Sequence, residues 1–86
     1  MPELSRFFGI VIAMFYDDHA PPHFHVRYGR QRATVAIETL AVLQGALSPR
    51  VRGLVTEWAA LHQAELREGW ERARQHAPLN PIAPLE

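Results

Sequence analysis

Residues 23–38 constrain this chain more than any other stretch, because their side chains alternate in character one by one. Phe24, Val26 and Tyr28 fall on one parity, and His23, His25 and Arg27 on the other. Successive side chains of an extended chain point to opposite faces, so the pattern predicts a strand buried on one side. Gly29-Arg30 supplies a two-residue turn, with glycine able to take positive φ at the first central position. A second strand follows, with Ala33, Val35 and Ile37 on one face and Arg32, Thr34, Ala36 and Glu38 on the other. Such a turn sets Tyr28 opposite Gln31, Val26 opposite Ala33 and Phe24 opposite Val35. The apolar members then meet on one face, and a one-residue slip would turn all of them to water. The opposite face pairs His25 with Thr34 and Arg27 with Arg32, and turns His23 and His25 to solvent.

The flanking segments extend this sheet. Residues 7–16 are apolar on both parities, with Phe8, Ile10, Ile12 and Met14 on one side and Phe7, Val11, Ala13 and Phe15 on the other. That predicts one central strand covered twice, and a partner subunit is one candidate for the second cover. A short strand is expected at 41–44, before Gly45. Ser48-Pro49 is a helix start, serine as N-cap and proline at the first helical position. Val51, Leu54, Val55, Trp58, Leu61, His62, Glu65, Leu66, Trp70 and Ala73 then recur at three- and four-residue steps. Unbroken from 49 to 76, the helix would be about 42 Å long at ~1.5 Å per residue. It either breaks, at Leu61-His62 or Gly69, or projects to pack on a neighbouring chain, and we expect the second. The tail repeats proline every third residue, so Leu79, Ile82 and Leu85 line one edge of an extended ribbon.

With 86 residues there is material for one core. The expectation is an α+β domain over 1–77, with a small antiparallel sheet of three to four strands and a long or broken C-terminal helical segment, followed by a Pro-rich extended tail at 78–86. Trp58, Trp70, Leu79, Ile82 and Leu85 are the anchors expected at a partner interface, in a homodimer or in a heteromer with a small partner protein. The chain holds no cysteine, which excludes disulfides, thiolate metal sites and a cysteine nucleophile. The longest apolar run is too short to span a bilayer, and no signal-like segment stands out, so a cytoplasmic protein without membrane attachment is expected. Nine basic residues, all arginine, balance nine acids. No global field therefore draws the chain to nucleic acid.

One constellation carries chemistry. Asp17, Asp18, His19, His23 and His25 bracket the rigid Pro21-Pro22 step. Histidines two apart on a strand share a face, and the loop can fold His19 or an aspartate back over it. Imidazoles and a carboxylate suit zinc, nickel, manganese or ferrous iron with coordination positions left open. In that reading His19, His23 and His25 hold a divalent ion, and Asp17 or Asp18 completes the shell or acts as a base. The alternative is a metal-free loop whose aspartates cap turns and whose histidines bond backbone groups around the prolines. Arg27, Arg30 and Arg32 form a local cationic patch suited to phosphate or another anion, including a nucleic-acid backbone.

At these residues the sequence resembles a known family. Residues 1–12, the Asp18-His19-Ala20-Pro21-Pro22-His23-Phe24-His25-Val26-Arg27-Tyr28-Gly29 block, the Glu57-Trp58-x-x-Leu61-His62 segment, Trp70 and the Pro-Leu tail are similar to short bacterial proteins grouped as a domain of unknown function. Their signature is Asp-His-x-Pro-Pro-His-Phe-His. Ala20 stands where a polar residue is expected. The resemblance implies a gene neighbour encoding a second small domain, in a pairing like that of a toxin and its antitoxin. Two functions follow: a binding or regulatory protein in such a two-protein module, or a metal-dependent hydrolase or nuclease toxin using His19, His23 and His25.

Overall fold

The alternating stretch becomes the middle of the sheet. The computed structural model describes residues 2–86; Met1, where the expected domain begins, lies outside the described residues. Five strands, β1 (Glu3–Phe7), β2 (Ile10–Ala13), β3 (His23–Tyr28), β4 (Gln31–Ala36) and β5 (Val42–Ala46), precede helices α1 (Pro49–Leu61) and α2 (Gln63–Arg74). The strands lie in chain order, every neighbour antiparallel. This is the expected α+β arrangement with one strand more. The β3–β4 register is the one the alternation demands, from Phe24 opposite Val35 to Tyr28 opposite Gln31, and Gly29 takes positive φ in the turn.

The apolar run 7–16 is not one strand. Phe7 closes β1 and Ile10 opens β2, with Phe8 (φ 50) and Gly9 (φ 81) between them. Positive φ at both central residues matches the natural strand twist of a tight hairpin. Glycine takes that conformation freely, whereas Phe8 carries a Cβ into it at a cost of roughly 1–2 kcal/mol. Its ring is 54% exposed and meets Phe7 edge-on at 6.4 Å instead of joining Ile10, Ile12 and Met14. A phenylalanine in the turn hides the turn from a reading by residue type. The strand expected at 41–44 appears as β5, shifted towards Gly45. There a side chain would collide with the Arg32 carbonyl oxygen, so β5 approaches β4 this closely only with glycine.

One face of the sheet builds the core. Ile10, Ile12, Phe24, Val26, Val35 and Ile37 pack in a single cluster with Val51, Val55 and Trp58 of α1 and Leu66, Trp70 and Ala73 of α2. The Ser48 hydroxyl caps α1 by accepting the Val51 N–H, and Pro49 opens the helix as expected. The helix does not project. It breaks at His62 (φ −125, ψ 24), and the longest dimension of the molecule is 33 Å, shorter than the unbroken helix would be. The Gln63 amide donates to the Ile37 carbonyl (2.9 Å), and Arg67 grips Glu38 through two nitrogens, so α2 is re-aimed at the end of β4. His62 faces Glu65 at 2.6 Å across the new helix start, and Leu61, assigned to the apolar stripe, is left exposed.

The five residues expected at a partner interface all pack against this chain's own core. Trp58 is fully buried and its indole N–H donates to the Ala83 carbonyl at 2.8 Å. Trp70 and Ile82 are buried, and Leu79 and Leu85 lie against the same cluster. The tail's three-residue period is therefore satisfied intramolecularly, with the Ile82 N–H donating to the Leu4 carbonyl beside β1 (2.8 Å). No helix among the described residues is long and apolar enough to cross a membrane.

Candidate functional site

The second face of the sheet carries the charged residues. Register places Val11 beside Arg27, Ala13 beside His25, Arg27 beside Arg32, and Thr34 beside both His25 and Gln44. Val11 and Ala13 are nearly as buried as core residues, although neither belongs to the cluster that packs against the helices. Long polar side chains that lay their stems over neighbouring apolar groups account for that.

At the β3 entrance, the loop after β2 returns Asp18 to the sheet. Its Oδ2 lies 2.9 Å from His23 Nε2 and 3.0 Å from His25 Nε2, and its Oδ1 accepts the His19 N–H at 3.0 Å. His23 Nδ1 donates to the Pro21 carbonyl at 2.8 Å. Burial by itself would raise the Asp18 carboxyl. The hydrogen bond from His25, the His19 N–H, and the charge and hydrogen bond of His23 outweigh it and hold the group below the usual carboxylate range.

Proton placement follows from the partners. The Pro21 carbonyl only accepts, so Nδ1 of His23 carries a proton, and the ionised Asp18 oxygen facing Nε2 also only accepts. One Nε2 from each of His23 and His25 and one Asp18 oxygen all lie within 4.8 Å of one another. Two imidazoles and a carboxylate are a donor set used for zinc and ferrous iron, and a ring N–H to a backbone carbonyl is the usual brace behind a metal-bound histidine.

The placement differs from the expectation in several respects. His23 does not look out at solvent; its side chain is 6% exposed, with Trp70 at 5.2 Å and His25 at 5.1 Å between ring centroids. Parity assigns its face, but α2 reaches the end of the sheet and covers it. His25 stays a quarter exposed, its ring against Phe15 at 4.1 Å. His19 is 89% exposed and outside the three-ligand group, with Nδ1 3.2 Å from Asp18 and its ring centroid 5.9 Å from that of His23. Asp17 turns away to His76 (2.8 Å), whose ring stacks on Tyr16, so it does not stand beside Asp18 as a base.

Beyond His25 the outer face sinks into an open depression of about 360 Å³, lined by Val11, Ala13, Phe15, Arg27, Arg32, Thr34 and Gln44 among others. Arg30 stays at the exposed hairpin turn, outside it. Phe15, Val11 and Gln44 were missed by sequence reasoning. The pairing of Val11 with Arg27 would have found them, but it needs the β2 register, which the hidden turn at Phe8 obscures.

Residues 9–71 match the sequence model of a family described as a domain of unknown function, DUF4160. The chain belongs to this family. All the candidate ligands and both depression arginines lie inside the span matched to DUF4160, whereas β1 and the C-terminal ribbon lie outside it. No curated protein and no solved structure matches the chain.

Proposed function

We propose that this protein binds one divalent transition-metal ion through Asp18, His23 and His25 and presents it to a ligand on the outer face of the sheet. The observation that carries this reading is the engagement of His23: the Pro21 carbonyl fixes Nδ1–H, which aims Nε2 at the point shared by His25 and Asp18. Zinc and ferrous iron suit these donors best, with manganese and nickel as the other candidates. The ion would supply Lewis acidity and open coordination positions, while Trp70 and the loop keep one side of the site dry. We further assign the protein to a bacterial two-protein regulatory module, with a second small protein as its partner. The support for that assignment is the resemblance of residues 18–25 to the Asp-His-x-Pro-Pro-His-Phe-His signature.

A second reading, a metal-dependent phosphodiester hydrolase acting as a toxin, is favoured by one observation. Arg27 and Arg32 stand on the same face as His25 and one pleat along it. His19 is not a ligand in either reading.

Elemental analysis of the purified protein, followed by calorimetric titration of metal-stripped protein with each of the four ions, tests the proposal. One ion per chain is expected, lost in Asp18→Ala and in His25→Ala while both variants keep the native circular dichroism spectrum. Binding should weaken as pH falls, because protons compete for the imidazoles. Absence of stoichiometric binding by all four ions overturns it and leaves a metal-free Asp–His lock. Hydrolysis of a phosphodiester by the loaded protein, abolished in His25→Ala, would establish the second reading.

A further inference from the structure

We infer that the outer-face depression is a nucleotide site, taking a phosphate on Arg27 and Arg32 and a flat ring over Val11 and Ala13 towards Phe15. The inference shares His25 with the metal reading but does not rest on it, because the arginine pair and the apolar floor stand without an ion.

The charges give the first argument. Among the described residues, four of the seven other arginines are matched to acids, Arg6 to Glu3, Arg67 to Glu38, Arg72 to Glu68 and Arg74 to Glu71, while Arg30, Arg50 and Arg52 are not. What sets Arg27 and Arg32 apart is that they face each other across a strand pair. Among the described residues no carboxylate pairs with Arg27 or Arg32, although the two are direct cross-strand neighbours. Glu3 is held below the usual carboxylate range first by its hydrogen bond from Arg6 and only least by the charge of Arg27. Both of its oxygens are taken by Arg6. Like charges directly opposite destabilise a sheet, so this pair is kept at a cost that a bound anion would cancel. Guanidinium forks match the oxygens of a phosphate.

The floor gives the second argument. Val11 and Ala13 form an apolar floor beneath the arginine stems, 6% and 2% exposed, which a ring reaches by displacing those stems, and Phe15 with His25 forms a wall of two rings. Ring faces stack on bases without regard to sequence, and an open sheet face with an aromatic and arginines is a platform for unpaired nucleotides. Thr34 and Gln44 border the floor and can pair with the polar edge of a base. The volume, about 360 Å³, lies at the lower end of the ~300–1,000 Å³ range of small-ligand sites, which suits one nucleotide unit and not a duplex.

The test uses metal-stripped full-length protein, titrated with adenosine monophosphate, adenosine, inorganic phosphate and a short single-stranded oligoadenylate. Calorimetry and amide NMR shifts are read together. Saturable binding of the monophosphate is expected, with shifts at Val11, Ala13, Thr34 and Gln44, and with adenosine and phosphate each weaker. Arg27→Gln/Arg32→Gln should reduce affinity at least about tenfold, the effect of losing one charge-assisted hydrogen bond. Arg50→Gln/Arg52→Gln, which removes the same charge from α1 away from the depression, should leave it unchanged, and the use of metal-stripped protein separates this site from the metal. Tighter, steeply salt-dependent binding of the oligonucleotide would name a nucleic-acid strand as the source, and equal binding a free nucleotide. No saturable binding of either, retention in the double arginine variant, or phosphate binding as tight as the monophosphate would overturn the inference.

Discussion

On the helix side of the sheet, Ile10, Ile12, Phe24, Val26 and Val35 are at most 3% exposed, sealed by two helices and the C-terminal ribbon. On the other side the same strands present His25, Arg27, Arg32, Thr34 and Gln44 around two small apolar residues, with stems and rings as the only cover. Packing dictates the residue types on the first face. It dictates almost nothing on the second, where two adjacent arginines without acids are worse for the fold than neutral residues would be. A surface that keeps such groups is shaped by what it contacts. In the function proposed above the uncovered face carries the binding groups, and the covered face carries the packing.

The largest effect should come from the covered face. Trp58→Ala removes the largest fully buried side chain and the anchor for Ala83, and should cost ~3–5 kcal/mol in a denaturant titration, enough to unfold a marginal domain. A loss below about 1 kcal/mol would mean that the helices do not seal this face as described.

The next sits where the faces meet. In metal-stripped protein, Asp18→Asn replaces the carboxylate shared by His23 and His25 with a neutral amide and should cost ~1.5–3 kcal/mol near neutral pH, the range of one charge-assisted hydrogen bond. The sign with pH follows from the depressed carboxyl. Below the ordinary aspartate value of about 3.9, the unfolded chain takes up the proton before the folded one does. The stabilisation is therefore complete above that value and lost as pH falls through the lower folded-state value. Acid unfolding of wild type and Asp18→Asn should converge at the acid end, and curves that stay parallel would remove Asp18 from the account.

The smallest belongs to the open face. Arg32→Ser relieves the cross-strand repulsion, so stability should rise by a few tenths of a kcal/mol or stay level, even as nucleotide affinity falls. A clear loss of stability would show that Arg32 serves the fold, and the contrast between the faces would fail.

The sequence made these regions legible to different depths. The β3–β4 hairpin could be read to the residue, because alternation, a glycine turn and a matched apolar face all name the same register. The start of α1 and the period of the tail were legible for the same reason, a local rule acting alone. The hairpin turn at Phe8 was not, since an aromatic residue at positive φ carries no turn signal. Leu61-His62 could be named as one place for the helix to break, but the choice between breaking and projecting could not be read, because it is fixed by Gln63 and Arg67 reaching Ile37 and Glu38 at the end of β4. At the site, spacing put His23 and His25 on one face, but it could not choose between Asp17 and Asp18. Nor could it foresee Trp70 lying over His23, a contact between segments far apart in the chain.

The hydrogen bond from Ile82 to Leu4 joins the first strand to the last ordered ribbon. During synthesis, then, the sheet and both helices emerge with one flank unzipped and the Trp58 indole unpartnered until residues 79–85 clear the ribosome. Closure is a late event, and a nascent chain waits for it with its outermost strand available to any neighbour that offers a backbone.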